Sequence, residues 1–225
     1  YFVSYDDFYI ESQLSGIKNA STQFSKDDLI TISIEDINLY NGLKDQLGRY
    51  NIYFDDENLE IGLTKLVLED ITSLNLSDKG IRNISGLEKF EYLRMLDLSK
   101  NEIENIDSFK KENTFNYLWL LDLSQNQIQE IEFTDSNYLV NLDNLNLSQN
   151  EIEEIDLSGL HKLYYLRISD NNISDISFIS DLEGLNILEA KNNDIEEFPG
   201  LNANANNAEI DLSGNKHLDL STINI

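Results

Sequence analysis

The sequence predicts an α/β solenoid in which short repeats stack side by side and share one parallel sheet. The first observation is a phrase of the form LxxLxLxxN that recurs seven times, most clearly in residues 142–150. The second is its period of 21 to 25 residues, which is typical of leucine-rich repeats. The closing positions of the phrase are Lys79, Asn101, Asn126, Asn150, Asn171, Asn193 and Asn215.

Each phrase is predicted to hold one short strand, and this alternation is the third observation. Leu145 and Leu147 alternate with Asn144, Asn146 and Ser148, so one strand face meets the core and the other lines a concave parallel sheet. One repeat cannot bury its leucines alone, and stacking closes the core. Further apolar residues after each closing position belong to a return limb on the convex side.

The closing asparagine is expected to satisfy the backbone of the inward turn. Its side-chain amide can both donate to and accept from the peptide groups of adjacent turns, which would otherwise be buried without partners. Lys79 replaces the asparagine in the first repeat, where no earlier repeat offers backbone groups for a side-chain amide to bond.

The phrase also divides the chain. Residues 1–70 lack it and are predicted to be an N-terminal segment and cap, whereas residues 71–225 form a leucine-rich repeat domain of about seven repeats. Only ten residues follow Asn215, and no amphipathic closing element is present among them. We therefore expect the domain to be truncated at its C-terminus.

A helix is predicted within the cap, from Ser33 to Gly48. Ser33 and Asp36 resemble a capping box, and Gly48 is a stop signal. Its apolar stripe is Leu39 or Tyr40, Leu43 and Leu47.

The remainder of the cap is less regular. Residues 51–54 are predicted as a strand, and residues 56–66 fit a helix or a strand equally well. Residues 1–33 match no pattern that we recognise.

Composition excludes several classes of function. The net charge of −26 argues against nucleic acid or anionic lipid as the partner and favours a basic protein, or simply solubility. The chain has no cysteine, so disulfides, thiol nucleophiles and thiolate metal sites are excluded. It has no apolar run long enough to enter a membrane directly. A monomer is expected.

Three stretches carry a family resemblance. The run from Asp70 to Ile81, followed by Ile84-Ser-Gly-Leu-Glu88, resembles the first repeat of internalin-like leucine-rich repeat proteins of Gram-positive bacteria. Residues 172–178 are similar to the convex limb of that family. The residues that look like its helical cap are Ile37, Leu39, Leu43, Leu47 and Gly48. Repeats two and three exceed 22 residues, and an insertion follows the cap helix, so the resemblance is incomplete.

The resemblance implies a secreted or surface protein of bacteria whose concave face binds a host or cell-surface protein. We therefore expect a non-catalytic recognition module of adhesin or virulence type that is extracellular or on the bacterial cell surface. One alternative is a cytosolic scaffold or regulatory subunit, because phosphatase-regulating leucine-rich proteins share the 22-residue phrase. The other is a targeting domain of a larger enzyme or toxin.

Candidate protein-binding residues occupy the variable positions of the concave strands. They form an apolar and aromatic track across repeats two to six, about 19 Å long at the usual strand spacing, beside a mostly acidic row. Aligned side chains of these types anchor protein interfaces. Alternatively, Leu120 and Ile187 merely satisfy strand propensity, and Trp119 and Tyr164 pack onto neighbours. The candidates are Arg94, Met95, Trp119, Leu120, Tyr164, Tyr165, Arg167 and Ile187.

No catalytic residue, metal site or cofactor is predicted. The serines that recur in the phrase have no histidine beside them, since His161 and His217 belong to distant repeats. The acidic row lies on an open sheet, without an enclosing pocket that could tune carboxylates for acid and base chemistry.

Overall fold

The computed structural model describes residues 8–11 and 21–24 as backbone, and residues 29–219 except 51, 112, 113, 136 and 202–207. The first two segments are strands β1 (Phe8–Glu11) and β2 (Ser21–Phe24), which pair antiparallel. The rest of the predicted N-terminal segment up to Asp28 lies outside the described residues.

A small antiparallel sheet and two helices precede the repeats. The sheet has the order β3-β5-β4, and its strands are β3 (Ile30–Ser33), β4 (Tyr53–Asp55) and β5 (Glu60–Leu63). Helix α1 (Ile37–Leu47) connects β3 to β4, and helix α2 (Lys65–Asp70) leads into the first repeat. The cap is therefore α+β and more regular than the sequence predicted.

The predicted start of the cap helix at Ser33 is wrong. Ser33 ends β3, where it lies opposite Glu60, and the helix is capped by Asp36, whose Oδ1 accepts the N–H groups of Asn38 and Leu39. A strand partner 27 residues away decided the boundary, which local capping signals cannot detect. The predicted end is confirmed, since Gly48 occupies the C-cap.

The strand predicted at residues 51–54 lies at Tyr53–Asp55, and Asn51 is outside the described residues. The ambiguous stretch 56–66 is a turn, then β5, then the start of α2. The strands in both stretches are fixed by pairing within the cap sheet, because β5 pairs with β3 on one side and with β4 on the other.

The predicted parallel sheet of the repeats is confirmed. Seven strands pair in the order β14-β13-β12-β10-β8-β7-β6, one from each phrase. In the first six repeats the central residue of the strand is buried in one continuous core, whereas Ile210 in the seventh is 40% exposed. The strands are β6 (Ser73–Asn75), β7 (Met95–Asp97), β8 (Leu120–Asp122), β10 (Asn144–Asn146), β12 (Tyr165–Arg167), β13 (Ile187–Glu189) and β14 (Glu209–Asp211).

The closing asparagines form a ladder, as expected from their donors and acceptors. Asn126 is buried, and its Nδ2 donates to the carbonyl of Leu98 in the preceding repeat and to that of Leu123 in its own. Its Oδ1 accepts the N–H of Ile103 at 3.0 Å. The same pattern recurs at Asn101, Asn150, Asn171, Asn193 and Asn215.

Lys79 instead contacts the cap. Its exposed side chain lies 3.3 Å from the carboxylate of Asp45 on α1, and its backbone N–H donates to Asn101. The first repeat therefore meets the cap where later repeats meet each other.

The joint between cap and repeats is tight. Asp36 Oδ2 accepts the N–H groups of Arg82 and Asn83 in the first return limb, so one carboxylate caps α1 and holds the limb. Burial opposes ionisation, but these backbone hydrogen bonds outweigh it and hold the pKa of Asp36 below its usual value. Gly86 has φ of +101°, and a Cβ there would lie 2.8 Å from the carbonyl oxygen of Ser33.

The return limbs are mostly irregular or 3-10 helical. The 3-10 segments are Leu87–Lys89, Asp107–Lys110 and Ser177–Asp181. In repeats three and four the limbs are strands β9 (Glu130–Glu132) and β11 (Glu154–Asp156), which pair in parallel as a second sheet that we did not predict.

Candidate functional site

The outward side of the seven-stranded sheet, the concave side of a leucine-rich repeat solenoid, presents three columns of side chains, which we call the sheet face. Strand pairing places the residues of the first column in register: Met95, Leu120, Asn144, Tyr165 and Ile187. The second column contains Asn75, Asp97, Asp122, Asn146, Arg167, Glu189 and Asp211. The edge column, just before the strands, contains Thr72, Arg94, Trp119, Asp143, Tyr164 and Asn186.

Backbone hydrogen bonds fix the edge column as firmly as the strands. The carbonyl of Trp119 accepts the N–H groups of Asp143 and Asn144, and the carbonyl of Arg94 accepts those of Trp119 and Leu120. Each repeat is thereby held in step with the next, so the side chains of neighbouring repeats stand in regular rows.

The structure brings all eight sequence-predicted site residues to the sheet face. Met95, Trp119 and Tyr164 are 39%, 42% and 44% exposed, so all three present apolar surface to solvent on the same side of the sheet. Arg94 is also exposed. The half-buried members are Leu120, Tyr165, Arg167 and Ile187.

Tyr165, Arg167 and Glu189 form a closed polar cluster within the sheet face. The Tyr165 hydroxyl donates to the Glu189 carboxylate, and the Arg167 guanidinium lies 3.8 Å from the centre of the Tyr165 ring. Arg167 Nε also lies 3.7 Å from Glu189 Oε1. Burial and the hydrogen bond to Glu189 raise the pKa of the Tyr165 hydroxyl. The charges of this part of the sheet face are therefore compensated internally.

Tyr164 is also oriented by a neighbour, because its hydroxyl accepts a hydrogen bond of 3.0 Å from Asn186 Nδ2. Its ring nevertheless keeps much of its surface in solvent. Tyr164 therefore packs against a neighbour, which was one interpretation of the sequence, and also stays accessible to a partner, which was the other.

The acidic second column has a structural role that sequence analysis missed. The Oδ1 of Asp97 accepts the N–H of Ser99 two residues later, and Asp122 does the same with Ser124. This is an Asx turn, and Asn75, Asn146 and Asp211 make it with their own serines. The recurrent serine is therefore a turn residue.

Asp211 also contacts Lys191 at 3.0 Å. Hydrogen bonds from Ser213 and the neighbouring Lys191 lower the pKa of Asp211 to about 2.

An aromatic pair that was not predicted from the sequence lies just before the opening leucines of repeats two and three. The rings of Tyr92 and Tyr117 stack with 5.9 Å between their centroids and an interplanar angle of 11°, and Tyr117 is 53% exposed. Both residues directly precede the opening leucine of their repeat. Comparing that position between consecutive repeats would have revealed the pair.

The opposite side carries a strongly acidic groove over β9 and β11. A cavity of about 400 Å³ is lined by Lys110, Glu130, Ile131, Glu132, Glu154, Ile155 and Asp156. In the pairing of β9 with β11, Glu130 lies opposite Glu154 and Glu132 opposite Asp156. Across the described residues no group of three His, Asp or Glu side chains is placed to hold a metal ion. In the same part of the chain no helix has the length and apolar character needed to cross a membrane.

A comparison of the chain with protein-family models found no match, and a comparison with curated proteins found none either. Among solved structures, internalin C2 from Listeria monocytogenes is similar, with 26% identity, coverage of 72% of this chain and 76% of that one, and a TM-score of 0.49. Internalin InlF from the same organism has 19% identity, coverage of 72% and 58%, and a TM-score of 0.38.

The PEPR1–AtPEP1 structure has 22% identity, coverage of 50% of this chain and 16% of that one, and a TM-score of 0.43. In this chain the seven parallel strands and the asparagine ladder are both present at the period of the repeated phrase. The chain is a leucine-rich repeat solenoid with an α+β cap at its N-terminal side.

Proposed function

We propose that this chain is a non-catalytic protein-recognition module that binds a protein partner through the sheet face. The observation that carries the proposal is the alignment of Met95, Trp119 and Leu120 in the adjacent repeats two and three. Met95 and Trp119 stay exposed among the described residues, as does Tyr164 on the same side of the sheet in repeat five. Isolated exposed apolar residues are common, but an aligned group favours a docking surface.

The energetics are adequate for specific binding. Burying five or six such side chains contributes about 8 to 15 kcal/mol before the costs of association are subtracted. Backbone hydrogen bonds between repeats order these positions before binding, which reduces the entropy cost of docking.

The proposal includes a role in adhesion or virulence at the cell surface or outside the cell. The resemblance of the first repeat and the cap helix to internalin-like proteins supports this location. Surface labelling of cells that produce the native protein tests it: labelling only after lysis would contradict a surface role and favour the cytosolic scaffold.

Photo-crosslinking tests the binding surface. A benzophenone amino acid at Leu120, which is half-buried among the candidates, should capture a protein from intact host-cell surfaces. Binding of the identified partner to purified protein is then measured for Trp119→Ala and Met95→Ala, each with an expected loss of about tenfold or more.

Leu66→Ala is the matched control, because Leu66 is a large apolar side chain that is 74% exposed on α2, away from the sheet. Its affinity should equal that of the unchanged protein. Unchanged affinity of both sheet-face variants would contradict the proposed function.

A further inference from the structure

We infer that the partner docks a basic, apolar-containing segment onto repeats two to four of the sheet face, with its cations at Asp97, Asp122 and Asp143 and its apolar side chains at Met95, Trp119 and Leu120. This inference rests on the proposed function and names the chemistry of the partner. It assigns binding to one half of the sheet face and leaves the Tyr165–Arg167–Glu189 cluster outside the contact.

The charge distribution along the sheet face is uneven. Repeats two to four contribute three carboxylates and one guanidinium to the three columns, and none of these carboxylates has an ion-pair partner among the described residues. Asp143 is exposed, and no hydrogen bond to its side chain is found in the described part of the chain. Two negative charges therefore remain uncompensated in this half.

Repeats five and six are different. Arg167 and Glu189 are the two charged residues in their three columns, and they contact each other. A basic segment gains no net attraction there, and approaching Arg167 would cost it repulsion.

The carboxylates are also fixed in position. The Asx turns hold Asp97 and Asp122 by hydrogen bonds of 2.9 Å, and Asp122 Oδ2 accepts a hydrogen bond of 3.0 Å from Asn146. An ionised carboxylate has about four acceptor sites, so both side chains can still receive a lysine or arginine. Their rotamers are set in advance, which lowers the cost of binding.

Apolar and aromatic surface lies beside these charges. Trp119 directly precedes Leu120, the first residue of β8, and Met95 of β7 pairs with Leu120. No lysine or arginine of the described residues stacks on Trp119; the cation–aromatic contacts that are present involve Tyr40, Phe54, Tyr50 and Tyr165. The indole face is therefore available to a cation or an apolar group of the partner.

The experiment uses Trp119, the single tryptophan of the chain, as an intrinsic reporter. The probe is a synthetic peptide of four Arg-Leu-Ser units, and the control peptides carry Gln or Glu in place of Arg. Tryptophan emission and calorimetry measure the affinity of the complete 225-residue chain for each peptide.

The decisive variant is the triple substitution Asp97→Asn, Asp122→Asn, Asp143→Asn. Asn already occupies the second column at Asn75 and Asn146 and the edge column at Asn186, so the Asx turns are retained while three charges are removed. The one hydrogen bond that the described residues lose with these charges is that from Asn146 Nδ2 to Asp122 Oδ2. The matched control is Glu130→Gln, Glu132→Gln, Glu154→Gln, which removes three charges from the acidic groove on the opposite side.

We expect the arginine peptide to shift the emission of Trp119 and to bind at least about tenfold more tightly than the glutamine peptide. The sheet-face triple variant should lose about tenfold in affinity, whereas the control should change by less than about twofold. Equal binding of the arginine and glutamine peptides would overturn the inference. So would a larger loss in the control, which would assign the basic segment to the opposite groove.

The partner captured at Leu120 separates this inference from the proposed function. If Trp119→Ala weakens that partner while the triple variant and added salt do not, the proposed function stands and the basic-segment inference fails. If the partner binds unchanged to Trp119→Ala, to Met95→Ala and to the triple variant, both fail.

Discussion

Removing one interior rung of the asparagine ladder should destabilise the protein strongly, and Asn126→Ala is the sharpest case. Asn126 is 7% exposed, its Nδ2 donates to Leu98 and Leu123, and its Oδ1 accepts from Ile103. The two carbonyls keep a partner after the substitution, because Asn101 and Asn150 also donate to them. The N–H of Ile103 keeps none within the described structure.

The magnitude follows from this count. One buried N–H without a partner costs about 1 to 3 kcal/mol, and each weakened carbonyl bond adds about 0.5 to 1 kcal/mol. We therefore expect a loss of about 2 to 5 kcal/mol in the free energy of unfolding. Asn126→Asp should cost more, because it places a carboxylate against two carbonyl oxygens in a buried site.

Two ladder positions serve as controls. Asn215 has the same contacts but is only half-buried, so Asn215→Ala should cost about 1 kcal/mol, since water can replace the lost bonds. Lys79→Asn should give no stabilisation comparable to an interior rung, because the cap and not a repeat lies on that side.

Urea unfolding followed by far-ultraviolet circular dichroism and by Trp119 fluorescence measures these differences. Equal losses for Asn126→Ala and Asn215→Ala, or an Asp variant at position 126 no worse than the Ala variant, would refute the burial reasoning.

Three further substitutions test the joint and the second sheet. Gly86→Ala should cost about 2 to 4 kcal/mol in urea unfolding, because φ is positive and the new Cβ would clash with Ser33 O; a neutral result would contradict the close approach. Asp36→Ala should cost about 2 kcal/mol at pH 7. The folded-state pKa of Asp36 is depressed, so the part of this difference that depends on ionisation should be fully present above its ordinary pKa of about 4 and be lost as pH falls through the lower folded value; a pH-independent difference would exclude an ionised cap. Glu154→Lys should stabilise by about 0.5 kcal/mol, because Glu154 lies opposite Glu130, and the gain should shrink in 1 M salt if it is electrostatic.

The repeats were predictable from the sequence because each contact recurs. The partner of Leu145 is always the equivalent residue one period away, Leu121 on one side and Leu166 on the other, so the periodicity encodes the long-range pairing. The asparagine ladder was predictable for the same reason, since each closing asparagine meets equivalent backbone groups, as Asn126 meets those of Leu98 and Ile103.

Some features of the repeats were visible in the sequence but were overlooked. Glu130-Ile131-Glu132-Phe133 and Glu154-Ile155-Asp156-Leu157 both alternate with period two, as expected for strands. Their pairing into a second sheet follows from their equivalent positions in adjacent repeats. The Asx role of Asp97 was likewise written in the Asp-x-Ser spacing.

The cap did not repeat, and its structure depended on contacts without a period. Whether Ser33 capped a helix or ended a strand was decided by β5, and the double role of Asp36 required the first return limb to be in place. Local propensity differences of a few tenths of a kcal/mol cannot decide such cases against tertiary pairing.

The solenoid, its register and the set of side chains on the sheet face follow from the repeated phrase, because stacking similar units turns periodicity into three-dimensional order. Which of those side chains are free to bind follows instead from contacts between neighbouring repeats. Arg167 and Tyr165 proved to be engaged with Glu189, whereas Met95 and Trp119 remain exposed beside uncompensated carboxylates. The physical reason is that exposure and charge pairing depend on the side chains of neighbouring repeats, which the phrase leaves variable.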